Sequence, residues 1–214
     1  MRRFFLTLLL PLVLGGCADS QSHTQSVVLL IDTSGTYTAE LQKAQAIAKF
    51  LLGTLQPGDS LCVASIDTGS FSEKDIIHKV TFDGRPSVLN QQKRTFIEAL
   101  DHFVGNTKSS PYTDITGGML QAVEYLTETG SPRRTILIFS DLEEELAKGY
   151  VRDFPLDLNN CRVVALNVTK LRQDNIDPRK YKHRLEAWQS RIEKGGGSFR
   201  VINDLDRLER LLEN

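Results

Sequence analysis

Two kinds of hydrophobic pattern alternate along the chain. Mostly apolar runs predict strands that are covered on both faces: VVLLI at 27–31, SLCVASI at 60–66, RTILIFSD at 134–141 and CRVVALNV at 161–168. Between the runs, apolar residues recur at helical spacing, as at Leu41, Ala44, Ile47, Leu51 and Leu55. Strands that alternate with helices in this way predict an α/β fold, a Rossmann-like open and mostly parallel sheet with helices on both faces.

Three further segments complete the predicted fold. HKVTF at 78–82 is typical of a short edge strand, and SFRVI at 198–202 is typical of a final strand. The chain then ends in DLDRLERLLEN at 204–214, whose leucine spacing predicts an amphipathic helix. With 40% hydrophobic residues among 214, the chain can bury the core of one domain. Its net charge of −1 gives no polycationic surface of the kind that binds nucleic acid.

The amino terminus predicts export and a lipid anchor. MRRFFLTLLLPLVLGGC has a basic start followed by an apolar run that is too short to span a membrane, which is typical of a signal peptide. Its ending, LGGC, resembles a bacterial lipobox, which implies cleavage before Cys17 and lipidation of that cysteine. Ala18 stands where an inner-membrane retention signal would place Asp, so we expect the periplasmic face of the outer membrane. An ordinary signal peptide with an incidental cysteine is the alternative.

Two of the predicted strands end in an acidic residue. VVLLID ends at Asp32 and ILIFSD ends at Asp141. Ligands of open α/β sheets bind beyond the carboxyl ends of the strands, and a buried carboxylate needs a hydrogen bond, a counter-charge or a cation. The hydroxyls of Ser34 and Thr36 follow Asp32 closely and add neutral oxygen ligands. Carboxylates and hydroxyls together predict a site for a hard divalent cation, with Mg²⁺ as the first choice and Mn²⁺ or Ca²⁺ as alternatives.

The motif DTSGT at 32–36 resembles the D-x-S-x-S signature of von Willebrand factor A (vWA) domains. The family's second element, a threonine in a loop that enters a helix, matches Thr113 in SPYTDITGG, and its third, an aspartate after a strand, matches Asp141. The resemblance covers residues 26–214, after a signal peptide at 1–16 and a lipidated tether at 17–25. It implies the strand order 3-2-1-4-5-6 with one antiparallel edge strand. Two strands would then separate Cys62 from Cys161, so we predict no disulfide between them.

The resemblance also implies a function. It implies a metal-ion-dependent adhesion site in which Ser34 and Thr36 contact the cation directly. Asp32 and Asp141 would hold it largely through water, and Thr113 would join when a ligand binds. A partner protein would supply a carboxylate to the cation. The implied function is a membrane-anchored, cation-dependent protein-binding module for adhesion or assembly that is not an enzyme.

Several alternatives stay open at this stage. Thr116 is a rival to Thr113 for the helix-entry role. Glu143, Glu144 and Glu145 are interpreted as a solvated helix start, with an acidic rim to the cation site as the alternative. The domain as a whole could be a scaffold that works without metal. An Asp-based phosphoryl-transfer enzyme is a further alternative, although such phosphatases need a second aspartate where this chain has a serine.

The predicted lipid anchor is directly testable. If LGGC is a lipobox, the mature protein starts at Cys17 and partitions into detergent, and Cys17→Ser should release or mislocalise it. Detergent-phase partitioning and mass spectrometry of the mature amino terminus measure both effects. A soluble mature protein whose free amino terminus lies at another residue would contradict the prediction.

Overall fold

The sheet has six strands in the order β3-β2-β1-β4-β5-β6. The structure is a computed structural model and describes residues 23–35 and 37–204. Every neighbouring pair is parallel except β2 and β3, which are antiparallel at the edge of the sheet. The strands are β1 (Gln25–Asp32), β2 (Ser60–Ile66), β3 (Ile76–Thr81), β4 (Arg133–Phe139), β5 (Arg162–Leu166) and β6 (Ser198–Ile202).

Helices cover both faces of this sheet. Their bounds are α1 (Leu41–Thr54), α2 (Pro86–Asn106), α3 (Ile115–Thr129), α4 (Arg172–Ile176) and α5 (Pro178–Lys194), with single 3-10 turns at Thr38–Glu40 and Glu73–Asp75. Side chains of α1 and α2 form one hydrophobic core with one face of the sheet, and those of α3 and α5 form a second core with the other face. This is the three-layer arrangement expected when helices connect parallel strands.

The central strand shows why its sequence is continuously apolar. Val27, Leu29 and Ile31 pack into the core that contains α1 and α2. Val28 and Leu30 point to the opposite side and pack into the core that contains α3 and α5. Successive strand side chains alternate between faces, so both sets of positions in a strand that is covered twice favour apolar residues. The first polar side chains that follow this run therefore stand at the end of the strand.

The structure confirms the predicted fold class, the strand order and the antiparallel edge strand. It also confirms that Cys62 and Cys161 are buried free thiols, on either side of β1 and β4. The short helix α4 was not predicted. None of the helices in the described ranges has both the length and the apolar character needed to cross a membrane. The predicted signal peptide, the lipidated Cys17, residue Thr36 and most of the predicted final helix lie outside the described residues.

Candidate functional site

Asp32 is the last residue of β1 and is completely buried. Its Oδ1 accepts a hydrogen bond from the backbone N–H of Ser34 at 2.8 Å, and its Oδ2 accepts one from the hydroxyl of Ser140 at 2.7 Å. Burial raises the pKa of Asp32 above its ordinary value, and these hydrogen bonds oppose that rise. The buried carboxylate is therefore partly compensated by hydrogen bonds from two loops.

Asp141 lies beside Asp32 because β1 and β4 are neighbours in parallel register. Ile31 pairs with Phe139, so both aspartates leave the sheet at the same edge. Asp141 is also buried, and its Oδ1 accepts a hydrogen bond from the backbone N–H of Glu143 at 2.9 Å. Burial raises the pKa of Asp141 to about 6; the Glu143 N–H opposes this rise, and the charge of Asp32 adds to it.

Main-chain hydrogen bonds join the surrounding loops at this edge. The N–H of Ser110 donates to the carbonyl of Thr33 at 2.9 Å, which ties the loop after α2 to the loop after β1. The N–H of Thr113 donates to the carbonyl of Glu145 at 2.8 Å, and the N–H of Glu145 donates back at 3.0 Å. The loop that enters α3 is thereby paired with the loop that follows β4. These contacts fix three loops around one opening.

Three of the five predicted metal-binding residues line that opening. Ser34, Thr113 and Asp141 face one open cleft of about 890 Å³, which we refer to as the cleft. Asp32 lies buried at the end of β1, next to Ser34, and does not itself line the cleft. Thr36 is outside the described residues, so its predicted role as a direct ligand stays a prediction.

Thr116, the rival to Thr113, is engaged elsewhere. Its side chain is completely buried, and its hydroxyl accepts a hydrogen bond from the guanidinium of Arg191 at 2.7 Å. Helix α3 begins one residue earlier and is capped by Asp114, whose side chain accepts from the backbone N–H of Gly117 at 2.8 Å. Thr113 is thus the threonine of this segment that faces the cleft.

The expectation that Glu143–Glu145 start a helix is wrong. These residues lie in an irregular loop, and Leu142 before them has a positive φ of 65°, which breaks right-handed helical geometry. Glu143 and Glu145 line the cleft. Glu144 points away from the cleft, and its carboxylate accepts from the backbone N–H of Thr116 at 2.7 Å, in the first turn of α3. The acidic-rim alternative therefore describes the placement of two of the three glutamates.

One face of α5 holds the loop that carries Asp141. The Nε of Arg184 donates to the carbonyl of Asp141 at 2.9 Å, and the indole N–H of Trp188 donates to the carbonyl of Leu142 at 2.9 Å. Arg191, one turn further, contacts the start of α3. The spacing i, i+4, i+7 places all three side chains on one helical face. Sequence reasoning assigned Trp188 to the core and missed both arginines, although this spacing was a readable signal.

Arg184 also forms ion pairs with two carboxylates near the cleft. Its guanidinium contacts Asp174 at 2.8 Å and Glu143 at 3.2 Å. The side chain of Asp174 is fully buried and that of Arg184 is nearly so. Because Arg184 reaches Asp141 through the backbone carbonyl, it holds the loop while the Asp141 carboxylate still faces the cleft.

The residues at the cleft fit a hard divalent cation. The oxygens available are the hydroxyls of Ser34 and Thr113 and the carboxylate of Asp141, with the carboxylate of Asp32 buried behind them. Burial, with a smaller contribution from the charge of Asp32, raises the pKa of Asp141 and so disfavours its charged form, and a cation would offset this cost. No histidine or cysteine lines the cleft, and the described ranges contain no group of three or more His, Cys, Asp or Glu side chains arranged to hold a metal.

Comparisons with known proteins give matches in structure only. No protein-family profile matches the sequence, and no curated protein sequence matches it. The pilus adhesin SpaC from Lactobacillus rhamnosus GG, in its open conformation, matches with a TM-score of 0.52 and 11% identity, over 89% of this chain and 29% of the adhesin. A von Willebrand factor type A protein from Catenulispora acidiphila matches with a TM-score of 0.49 and 15% identity, over 87% of this chain and 40% of that one.

A third structure is similar in length to this chain. An aerotolerance-related membrane protein from Bacteroides fragilis NCTC 9343 matches with a TM-score of 0.46 and 13% identity, over 88% of this chain and 96% of that chain. This chain therefore spans less than half of the first two proteins and nearly the whole length of the third. At such identities the adhesin match shows a shared fold. The shared fold is an open α/β sheet with helices on both faces.

The contacts of Arg184 predict its contribution to stability. Arg184→Ala leaves the buried carboxylate of Asp174 without its partner and should lower the free energy of unfolding by about 1–3 kcal/mol. Arg179→Ala on the same helix is the matched control, because that guanidinium is exposed, and it should leave stability unchanged. Urea denaturation of the three proteins measures the difference. Equal midpoints for the two variants would contradict a structural role for Arg184.

The raised pKa of Asp141 predicts a pH dependence in metal-free buffer. A carboxyl whose folded pKa is about 6 binds its proton more tightly in the folded state than in the unfolded chain. Protonation of Asp141 should therefore raise the free energy of unfolding as pH falls from about 7 to about 4. Asp141→Asn has no titrating group at this position and should lose this part of the pH dependence. Thermal melts of parent and variant in chelator across this range provide the measurement. Parallel pH profiles for the two proteins would show that Asp141 does not titrate in this way.

Proposed function

We propose that this domain is a protein-binding module of the bacterial cell envelope that engages its partner through a divalent cation held in the cleft. The observation that carries the proposal is the convergence of Ser34, Thr113 and Asp141 on one opening, with Asp32 buried behind it. These residues come from three separate loops at the carboxyl edge of the sheet, where ligands of open α/β sheets bind.

Each residue has a distinct role in the proposal. The hydroxyls of Ser34 and Thr113, together with that of Thr36, supply neutral oxygens to the cation. Asp141 supplies charge at the cleft, and Asp32 supplies it from behind, where Ser140 fixes its orientation. When bound, the cation offsets the two carboxylates and offers a coordination position to a carboxylate of the partner. Mg²⁺ is the first choice, with Mn²⁺ and Ca²⁺ as alternatives. The proposal includes no catalytic step.

The direction of β1 relates the cleft to the expected lipid anchor. Gln25 begins the strand and Asp32 ends it, so the amino-terminal segment enters at the sheet edge opposite the cleft. Eight extended residues span about 25 Å. If Cys17 carries a lipid, the tether joins the domain at the end of β1 opposite the cleft. Attachment at that end leaves the cleft accessible to a protein partner in the periplasm.

A scaffold that works without metal is the second candidate. It is favoured by the hydrogen bonds that Asp32 accepts from Ser34 and Ser140, because they stabilise the buried carboxylate in the absence of a cation. In that case partners would contact the same surface without depending on divalent ions. The two candidates differ in one measurable property, which is whether the fold responds to a cation.

Thermal melting in the presence of divalent ions tests the proposed function. The melting temperature of the full-length protein in detergent should rise with millimolar Mg²⁺, Mn²⁺ or Ca²⁺, since a ligand that binds only the folded state stabilises it by RT ln(1 + [L]/Kd). Asp32→Ala should abolish the response. Ser34→Ala should weaken it less, because water can replace a neutral ligand. Asp101→Ala, which removes an exposed carboxylate on α2, should respond like the parent. If none of the three cations changes the melting temperature of the parent, the metal-dependent proposal is refuted and the scaffold is favoured.

A further inference from the structure

The cleft has a basic side as well as an acidic one. Lys170 and Arg172, which we call the basic wall, line the cleft together with the proposed metal-binding residues. Both side chains are exposed, and neither forms an ion pair with any residue in the described part of the chain. The ammonium of Lys170 lies 6.0 Å from the ring centre of Tyr181, a contact that leaves its hydrogen-bond donors free. Within the described residues, the two positive side chains of the basic wall therefore have no carboxylate paired with them.

The carboxylates of the cleft do not neutralise the basic wall. A divalent cation would offset the charges of Asp32 and Asp141, and Arg184 already contacts Glu143 at 3.2 Å. Glu145 is then the one carboxylate of the cleft lining without an ion pair in the described structure. With a cation bound, the positive and negative charges around the opening are nearly equal in number, and the unpaired positive charge lies at the basic wall. The basic wall is therefore a local area of positive charge that attracts an anionic group and disfavours a basic one.

The volume of the cleft exceeds what one carboxylate needs. At about 890 Å³ it lies in the upper part of the range of pockets that enclose whole small ligands, roughly 300–1,000 Å³. A single aspartate or glutamate side chain on the cation would leave most of this space to other groups. The remaining lining is mixed, with the polar side chains of Ser109, Ser110 and Gln173 and the apolar ones of Pro111 and Leu171 beside the basic wall. The opening therefore suits a short stretch of extended chain that carries charge.

We infer that the partner of this cleft is an acidic peptide segment, with one carboxylate for the cation and a second carboxylate for Lys170 and Arg172. The inference rests on the proposed function for its first contact and on the basic wall for its second. The second carboxylate gains charge-assisted hydrogen bonds from two unpaired donors at the edge of the cleft. It also gives selectivity, since a segment with one carboxylate would leave the basic wall unpaired.

Synthetic peptides test this inference on the full-length protein in detergent. The probes are three eight-residue peptides with blocked termini and a fluorescent label, which carry two carboxylates, one carboxylate, or none, with amide side chains as replacements. Binding is followed by fluorescence anisotropy in Mg²⁺ and in chelator, at low and high salt. The double variant Lys170→Gln/Arg172→Gln removes the basic wall. Lys194→Gln, an exposed lysine at the other end of α5, is the matched control.

The two-carboxylate peptide should bind about two- to fivefold more tightly than the one-carboxylate peptide, the range expected for an exposed ion pair. High salt and the double variant should each remove this advantage, and the control should keep it. The double variant should bind the one-carboxylate peptide as the parent does. Equal affinities for the two peptides, or an advantage that survives loss of the basic wall, would overturn the inference. So would inorganic phosphate that competes as well as the peptide, because a simple anion site would explain it.

Chelator separates this inference from the proposed function. If both hold, chelator abolishes binding of the one-carboxylate peptide and weakens binding of the two-carboxylate peptide. If the two-carboxylate peptide binds equally well in Mg²⁺ and in chelator, and still depends on the basic wall, the metal-dependent function fails with the first contact, and the contact between a carboxylate and the basic wall stands. If neither peptide binds at millimolar concentration under any condition, both are overturned.

Discussion

The structure depends on keeping two carboxylates buried side by side at the end of a doubly covered sheet. Asp32 and Asp141 leave neighbouring parallel strands at the same edge, and each is almost wholly removed from water. Burial raises the pKa of both carboxylates and disfavours their charged forms, and the charge of Asp32 adds to the rise at Asp141. The loops at this edge supply the compensation, with a hydroxyl from Ser140 and backbone N–H groups from Ser34 and Glu143. The remaining free-energy cost of burying two carboxylates favours the binding of a cation at this edge, because the cation would offset their charge.

Helix α5 also stabilises the loop that carries Asp141. Arg184 and Trp188 donate hydrogen bonds to successive carbonyls of the loop that carries Asp141. Arg191 continues the same helical face to the start of α3. The loop is thereby fixed by main-chain contacts, which leave the Asp141 carboxylate at the cleft. The position of α5 and the shape of the cleft are consequently coupled through hydrogen bonds.

The sequence predicted the strands and helices that can be recognised from the hydrophobic pattern of each segment by itself. Continuous apolar runs identified the strands, because a strand covered on both faces has mostly apolar positions, as Val27 to Ile31 show. The convergence of Ser34, Thr113 and Asp141 was expected from the resemblance to vWA domains, and the structure places them on one cleft. Glu143–Glu145 were misread because Leu142 adopts a left-handed conformation that no local pattern announces. Lys170 and Arg172 were overlooked because their place at the cleft depends on how the loop after β5 folds back over the sheet edge.

The most direct test of the central claim is an anomalous diffraction experiment on crystals of the protein grown with Mn²⁺. The account predicts a single strong anomalous peak in the cleft, within coordination distance of the Ser34 hydroxyl and close to the carboxylate of Asp141. It also predicts that the peak disappears in crystals of Asp32→Ala. A well-ordered cleft without a peak at millimolar Mn²⁺, or a peak bound only at surface carboxylates elsewhere, would contradict the claim that this edge of the sheet is a cation site.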